Sequence, residues 1–111
     1  AVYVEDADDL RLLYGVLTHA DPEATIRLVE ALHQEGHTFV IHVDGKESSD
    51  DAYEALVEYA ATRDYVHVLA HPHRVRANWG GFSLVNATLQ ILRYSLGHEG
   101  YPSEGKAPLE F

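Results

Sequence analysis

The chain of 111 residues contains no cysteine, and no apolar run approaches the ~20 residues that a membrane-spanning helix requires. Without cysteine, neither a disulfide framework nor a thiolate metal site is available. The first ten residues, AVYVEDADDL, are acidic, which is not typical of a secretory signal peptide. The length allows one domain at most, and the 46% of hydrophobic residues is enough for a core.

Positive charge is also scarce. Eight Lys and Arg residues stand against 18 Asp and Glu residues, which gives a formal net charge of −10. A chain of this charge repels nucleic acid and anionic membrane surfaces, so we expect no nucleic-acid partner. An anionic small ligand would bind only where cationic groups are placed locally.

Several binding motifs are missing as well. Gly15 stands alone in YGVLTHA, so the chain has no G-x-G-x-x-G, and it has no Walker A sequence. A nicotinamide or flavin dinucleotide is therefore disfavoured. No nucleophile–base pair stands out, and we assign no catalytic residue. A small stand-alone hydrolase or phosphatase accordingly ranks last among the possible functions.

The pattern that is present consists of three strand-then-helix units. Apolar, β-branched runs predict strands over residues 12–18, 38–43 and 65–69. Asp21 with Pro22 opens the first helix and Gly36 is expected to end it. Ser48 or Ser49 opens the second helix. A third helix is predicted over residues 83–96, and its expected buried stripe comprises Leu84, Val85, Thr88, Leu89, Leu92 and Leu96.

This alternation predicts an α/β fold of three layers, with a mostly parallel sheet, three βα units and right-handed crossovers. The near-continuous apolar strands agree, because parallel strands are buried on both faces. Ligands in such folds bind beyond the carboxyl ends of the strands. A binding crevice is therefore expected around residues 17–19, 44–46 and 70–81. The cations expected near it are Lys46, Arg74 and Arg76.

Asp44, Trp79 and the pair Gly80-Gly81 are the candidates in that crevice. Asp44 follows the second strand, where a carboxylate could accept hydrogen bonds from a ribose or a base, or could simply close a turn through its own backbone. Trp79 could stack on a flat ring or plug the sheet. The two glycines could admit a ligand to the next helix N-terminus or form a tight turn.

Eight histidines raise the question of a metal site. His67, His71 and His73 are close in sequence, and His33 and His37 are four residues apart. No cysteine and no obvious carboxylate completes a tetrahedral set, so we do not predict a metal site. His42, on the second predicted strand, is expected to be a core histidine with a hydrogen-bond partner.

Three segments together resemble a known family. YGVLTHADPEATIRLVEAL, FVIHVDGK and RANWGGFSLVNATLQIL are similar, in order and spacing, to the core-2/I-branching β-1,6-N-acetylglucosaminyltransferase and peptide-O-xylosyltransferase family. The resemblance covers roughly residues 13–96, and the W-G-G-x-S-L form is closer to the xylosyltransferase branch. It implies an inverting transferase of the GT-A type that uses a UDP-sugar without a metal or other cofactor.

Carried over by position, the resemblance implies that Leu17, Asp44, Ala77, Asn78 and Trp79 line the uridine and donor pocket. The family's catalytic carboxylate and the basic pair that neutralises the diphosphate map to no residue here. Residues 1–111 are thus expected to be the N-terminal, donor-nucleotide-binding part of such a domain. Its recognisable core would span residues 11–97, and residues 98–111 would lead into a missing strand.

The resemblance further implies a glycan or protein acceptor, N-acetylglucosamine or xylose as the transferred sugar, and a Golgi-lumenal setting. Any membrane attachment would use a single-pass anchor outside this segment. The alternative is a non-catalytic nucleotide-binding or interaction domain that kept the fold. If a partner strand for the first strand is missing, that strand's free edge should promote self-association.

Overall fold

The computed structural model describes residues 12–76 and 82–95, in which strands and helices alternate along the chain. In chain order the elements are β1 (Leu13–Thr18), α1 (Pro22–Leu32), β2 (Thr38–Val43), α2 (Asp50–Ala61), β3 (Val66–Val68) and α3 (Phe82–Ser95). Two 3₁₀ turns, Glu47–Ser49 and His71–His73, precede α2 and α3 respectively. The alternation confirms the predicted α/β class, with β3 shorter than expected.

The three strands form one parallel sheet with β2 in the centre, in the order β1-β2-β3. β1 and β2 pair along their whole length, from Leu13 opposite Thr38 to Thr18 opposite Val43. Five of the six β2 residues are buried. This burial follows from the central position, because helices cover both faces of β2.

Alternation along β2 divides the core between the two faces of the sheet. Phe39, Ile41 and Val43 point to one face, where they pack with side chains of α1 and α2 such as Val29 and Leu56. Val40 points to the other face and packs with Leu69, and with Ile91 and Tyr94 of α3. The fold therefore has the predicted three layers. The sheet is the middle layer, with α1 and α2 on one face and α3 on the other.

The path of the chain after β3 determines what covers the end of β2. Both α1 and α2 pack on one face, so the two βαβ crossovers share one hand. α3 packs on the opposite face, against β2 and β1. To reach it from β3 the chain must pass the edge of the sheet, and residues 74–75 do so over the carboxyl end of β2.

The first helix begins as predicted. Asp21 is its N-cap, and the carboxylate accepts a hydrogen bond from the backbone N–H of Ala24 at 3.0 Å. The predicted end is too late, because the helix stops at Leu32. Gly36 instead has a φ of 86° in the turn before β2, a conformation that glycine adopts without steric cost.

The predicted buried stripe of α3 is wrong at the four positions whose side chains the structure describes; Leu84 and Leu96 lie outside them. Val85, Leu89 and Leu92 are 52%, 40% and 48% exposed, and Thr88 is exposed too. Among residues 85–95 of α3, the buried ones are instead Ala87, Gln90, Ile91, Tyr94 and Ser95. The stripe that the sequence favours is the more apolar one, but packing against β1 and β2 buries the stripe that includes Ile91 and Tyr94.

Tyr94 explains why that stripe suits the interior. Its hydroxyl lies 2.6 Å from Nδ1 of His67, which is buried on β3. Two polar groups thus satisfy each other inside the sheet–helix layer. No helix among the described residues is long and apolar enough to cross a membrane.

Candidate functional site at the carboxyl edge of the sheet

The carboxyl ends of β1 and β2 are joined directly to each other and to the start of α2. The backbone N–H of Asp44 donates to the carbonyl of Thr18 at 2.8 Å. The hydroxyl of Ser49, the N-cap residue of α2, donates to the carbonyl of His19 at 2.6 Å and so connects α2 to the end of β1. Its side chain makes no capping hydrogen bond to α2 itself. The predicted segments 17–19 and 44–46 therefore lie side by side.

Asp44 directly follows β2 and is only 2% exposed. Its Oδ1 accepts a hydrogen bond from the backbone N–H of Lys46 at 2.9 Å, the geometry of an Asx turn. Of the two interpretations of Asp44, the structure thus contains the turn. A contact between this carboxylate and a ligand stays a prediction.

The chain that follows β3 is hydrogen-bonded to residues at the carboxyl end of β2. The N–H of Gly45 donates to the carbonyl of Val75 at 2.9 Å, and the N–H of Val75 donates to Nε2 of His42 at 2.7 Å. A Cβ on Gly45 would lie 2.8 Å from the carbonyl oxygen of Arg74, so only glycine allows this approach. Segments from all three strand ends therefore meet at one edge of the sheet.

His42 is 1% exposed and is the core histidine that the sequence predicts. Burial lowers the pKa of His42 to about 4, because desolvation penalises the imidazolium, and the nearby Arg74 lowers it further. The neutral imidazole is also the form that the geometry requires, since Nε2 must accept the hydrogen bond from Val75. His42 therefore serves as a neutral acceptor inside the fold.

The local cations divide into two kinds. Arg74 is 8% exposed, and its guanidinium donates to the carbonyls of Val43 and Asp44 and to the carboxylate of Asp50. Lys46 and Arg76 are exposed at the same edge. Sequence reasoning grouped all three as cations near a ligand; the structure shows Arg74 engaged with the protein itself.

Of the five predicted pocket residues, the structure describes two. Leu17, the penultimate residue of β1, is half-buried and packs against the core on the α3 face. Asp44 lies at the end of the β1–β2 pair, where its backbone N–H is hydrogen-bonded to Thr18. Ala77, Asn78 and Trp79, like residues 98–111, lie outside the described residues, so the pocket assignment remains a prediction.

Two contributors were not identified from the sequence. Ser49 was read only as a possible helix start, and Arg74 only as a local cation. No signal near Arg74 in the sequence points to this role, because its acceptors Val43, Asp50 and Asp44 precede it by 31, 24 and 30 residues. Among the described residues, no group of three or more His, Cys, Asp or Glu side chains could hold a metal ion.

Comparison with known proteins shows what the chain as a whole is similar to. Over 97 residues the chain is 34% identical to xylosyltransferase 2 from Homo sapiens, and over 93 residues it is 33% identical to xylosyltransferase 2 from Rattus norvegicus. The chain is similar to one segment of xylosyltransferase 2. The aligned parts are 86% and 83% of this chain, but only 11% and 10% of those relatives.

Xylosyltransferase 2 from Bos taurus extends the same similarity, at 31% identity over 97 residues. No family model matches the chain. The similarity supports a xylosyltransferase-like glycosyltransferase segment, in agreement with the W-G-G-x-S-L sequence. The core-2/I-branching side of the predicted resemblance is not supported in this way and stays a prediction.

Proposed function

We propose that this chain is the donor-nucleotide-binding part of a glycosyltransferase that takes a UDP-sugar. The observation that carries the proposal is the similarity to xylosyltransferase 2 along 86% of the chain. The geometry supports it, because the ends of β1, β2 and β3 are held together at the carboxyl edge, where parallel α/β sheets bind nucleotides. Asp44 lies at that edge as a fixed carboxylate.

In this proposal Asp44 accepts hydrogen bonds from the uridine, and Leu17 contributes an apolar contact at the end of β1. Ala77, Asn78 and Trp79 complete the pocket by resemblance. The exposed cations Lys46 and Arg76 reduce the repulsion between an acidic chain and a diphosphate. The reaction is inverting, metal-independent displacement at the anomeric carbon, and the catalytic carboxylate is supplied from outside the 111 residues.

Xylose is the first candidate for the transferred sugar, since the relatives are xylosyltransferases; N-acetylglucosamine is the second. The acceptor is a hydroxyl on a glycan or protein, and the setting is the Golgi lumen, reached through a membrane anchor outside this segment. The chain spans about 11% of the length of its relatives. We therefore expect weak or no UDP binding and no transfer by these 111 residues in isolation.

The test is calorimetric titration of the full-length protein, meaning the complete polypeptide in which these residues occur, with UDP, UDP-xylose and UDP-N-acetylglucosamine. Asp44→Asn keeps an oxygen acceptor for the Lys46 N–H but removes the charge. Because a hydrogen bond to a charged group contributes ~1.5–3 kcal/mol, UDP affinity should fall about 10- to 100-fold. Asp64→Asn is the matched control: Asp64 is exposed just before β3, at the opposite edge of the sheet.

The outcomes separate the proposal from its alternative. UDP-sugar binding with transfer to an acceptor supports the enzyme. Binding of UDP without any transfer would favour the non-catalytic nucleotide-binding domain. Absence of UDP binding by the full-length protein would reject both, and equal losses in the Asp44 and Asp64 variants would remove Asp44 from the site.

A further inference from the structure

Arg74 makes an unusual set of contacts for a residue in a connecting segment. Its side chain is 1% exposed. Nε donates to the carbonyl of Val43 at 3.2 Å, Nη1 donates to the carboxylate of Asp50 at 3.0 Å, and Nη2 donates to the carbonyl of Asp44. The guanidinium also lies over the ring of Tyr53, 4.3 Å from its centroid. One side chain therefore joins the end of β2, the first turn of α2 and the chain leading to α3.

These contacts fix Asp44 from several directions. Its carbonyl accepts from Arg74, its N–H donates to Thr18 at 2.8 Å, and its Oδ1 accepts from Lys46 at 2.9 Å. With both backbone groups held, the direction of the Cα–Cβ bond is set by the fold. The Asx turn then directs Oδ1 toward the Lys46 N–H and so limits the orientation of the carboxylate.

Lysine could not reproduce this arrangement. Val43 and Asp44 at the end of β2 and Asp50 in α2 all supply acceptors to Arg74, and a planar guanidinium meets them with donors in a fixed fork. An ammonium is a point charge on a flexible stem, and it cannot stack on Tyr53 as a guanidinium does. Replacement by Lys keeps the charge while loosening the position of Asp44.

We propose that Arg74 is a positioning residue for the nucleotide: it orients Asp44 toward the ligand and does not itself bind the diphosphate. This inference rests on the proposed function of the carboxyl edge. The inference differs from direct diphosphate binding in which ligands should bind more weakly when Arg74 is replaced. A residue that binds the diphosphate matters for UDP and not for uridine, whereas a residue that acts through Asp44 matters for both.

The experiment compares UDP and uridine affinities of the full-length protein and its Arg74→Lys variant. We expect both affinities to fall at least ~10-fold and by similar factors, so that the ratio between them stays within ~2-fold, since a loosened carboxylate forfeits a charge-assisted hydrogen bond. The double variant with Asp44→Asn should be no weaker than Asp44→Asn itself, because coupled residues are not additive.

Arg63→Lys is the matched control. Arg63 also lies over a tyrosine ring, at 3.9 Å from the centroid of Tyr59, and donates to the Tyr59 carbonyl. It follows α2 at the opposite edge of the sheet, before β3. Its replacement should lower thermal stability without changing either affinity. Equal losses of affinity in the two variants would show a general effect of stability and would overturn the inference.

Asp50→Asn provides a second variant if Arg74→Lys fails to fold. The Asp50 side chain is 45% exposed and makes one of the Arg74 contacts, so the variant should fold and lose a few-fold of both affinities. Unchanged affinities in Arg74→Lys, or loss for UDP alone, would overturn the positioning role while leaving the proposed function intact. Failure of the wild-type protein to bind UDP would reject the function and this inference together.

Discussion

His42 and Asp44 lie two residues apart and have opposite requirements for charge. His42 must stay neutral to accept the Val75 N–H, and Asp44 must stay ionised if it is to bind a ligand strongly. The end of β2 gives them different surroundings, because His42 is a buried strand residue that accepts the Val75 N–H while Asp44 begins the turn after the strand. The imidazole is consequently linked to the stability of the fold.

The pH dependence of stability is the prediction at the residue scale. Burial lowers the pKa of His42 from 6.5 to about 4. At high pH the imidazole is neutral in both the folded and the unfolded chain, so the stabilisation is fully present above pH 6.5. Below that pH the unfolded chain binds a proton first, and stability is lost as the pH falls toward 4. At ~1.4 kcal/mol per pKa unit the loss is about 3 kcal/mol.

Urea unfolding of the chain at several pH values between 7.5 and 4 measures this loss. His42→Gln is the reference, because its side-chain oxygen can accept the Val75 N–H without titrating. The difference in unfolding free energy between the two proteins should be constant near neutral pH and should shift against the wild type below pH 6.5. Parallel profiles would show that His42 is not the group responsible.

At the scale of elements, α3 carries two candidate faces. Val85, Leu89 and Leu92 are exposed in the part of the chain that the structure describes, and Ile91 and Tyr94 are buried. Gly15 of β1 allows this orientation, because a Cβ there would lie 3.2 Å from Cγ2 of Ile91. A side chain at this position would crowd Ile91, so Gly15 favours the close approach of α3 to β1.

Truncation to alanine distinguishes the two faces. Ile91→Ala should lower the free energy of unfolding by ~2–4 kcal/mol, because it opens a cavity between α3 and the sheet. Leu89→Ala removes a similar volume at a 40% exposed position on the same helix, so it should cost less than ~1 kcal/mol. Chemical denaturation gives both values, and the opposite order would restore the stripe that the sequence favoured.

For the whole molecule, the sheet has a consequence beyond its own stability. Among residues 12–76 and 82–95, β1 pairs on one side only, with β2. An unpaired strand edge is a template for association with another chain, and the exposed aliphatic residues of α3 lie on the helix that packs beside it. A net charge of −10 opposes association through mutual repulsion.

We expect association through the unpaired edge of β1 to outweigh charge repulsion at high ionic strength, where the repulsion is screened. Light scattering after size-exclusion chromatography should show the mass of the 111-residue chain rising with protein concentration and salt. Leu12→Lys places a charge immediately before β1 and should reduce association. Leu32→Lys is the control at similar exposure, at the end of α1. A monomer under all conditions, or equal effects of both changes, would refute association through this edge.

Local chemistry is enough to determine the order and type of the elements. The Asp21-Pro22 start of α1, the limits of β2 and the three-layer parallel architecture follow from capping, strand propensity and alternation, which act over a few residues. The resemblance to xylosyltransferases was likewise readable from W-G-G-x-S-L and the spacing of its neighbours. These features depend on near neighbours in the chain.

Only the tertiary structure decided which face of α3 is buried and what Arg74 does. Both depend on residues far apart in sequence: Gly15 lets Ile91 approach β1, and Val43, Asp44 and Asp50 receive the guanidinium. A helix whose more apolar stripe is exposed gives no local sign of that orientation, and an arginine has no local sign that its acceptors lie about 30 residues away. Packing and the burial of a charge are non-local, so they required the folded chain.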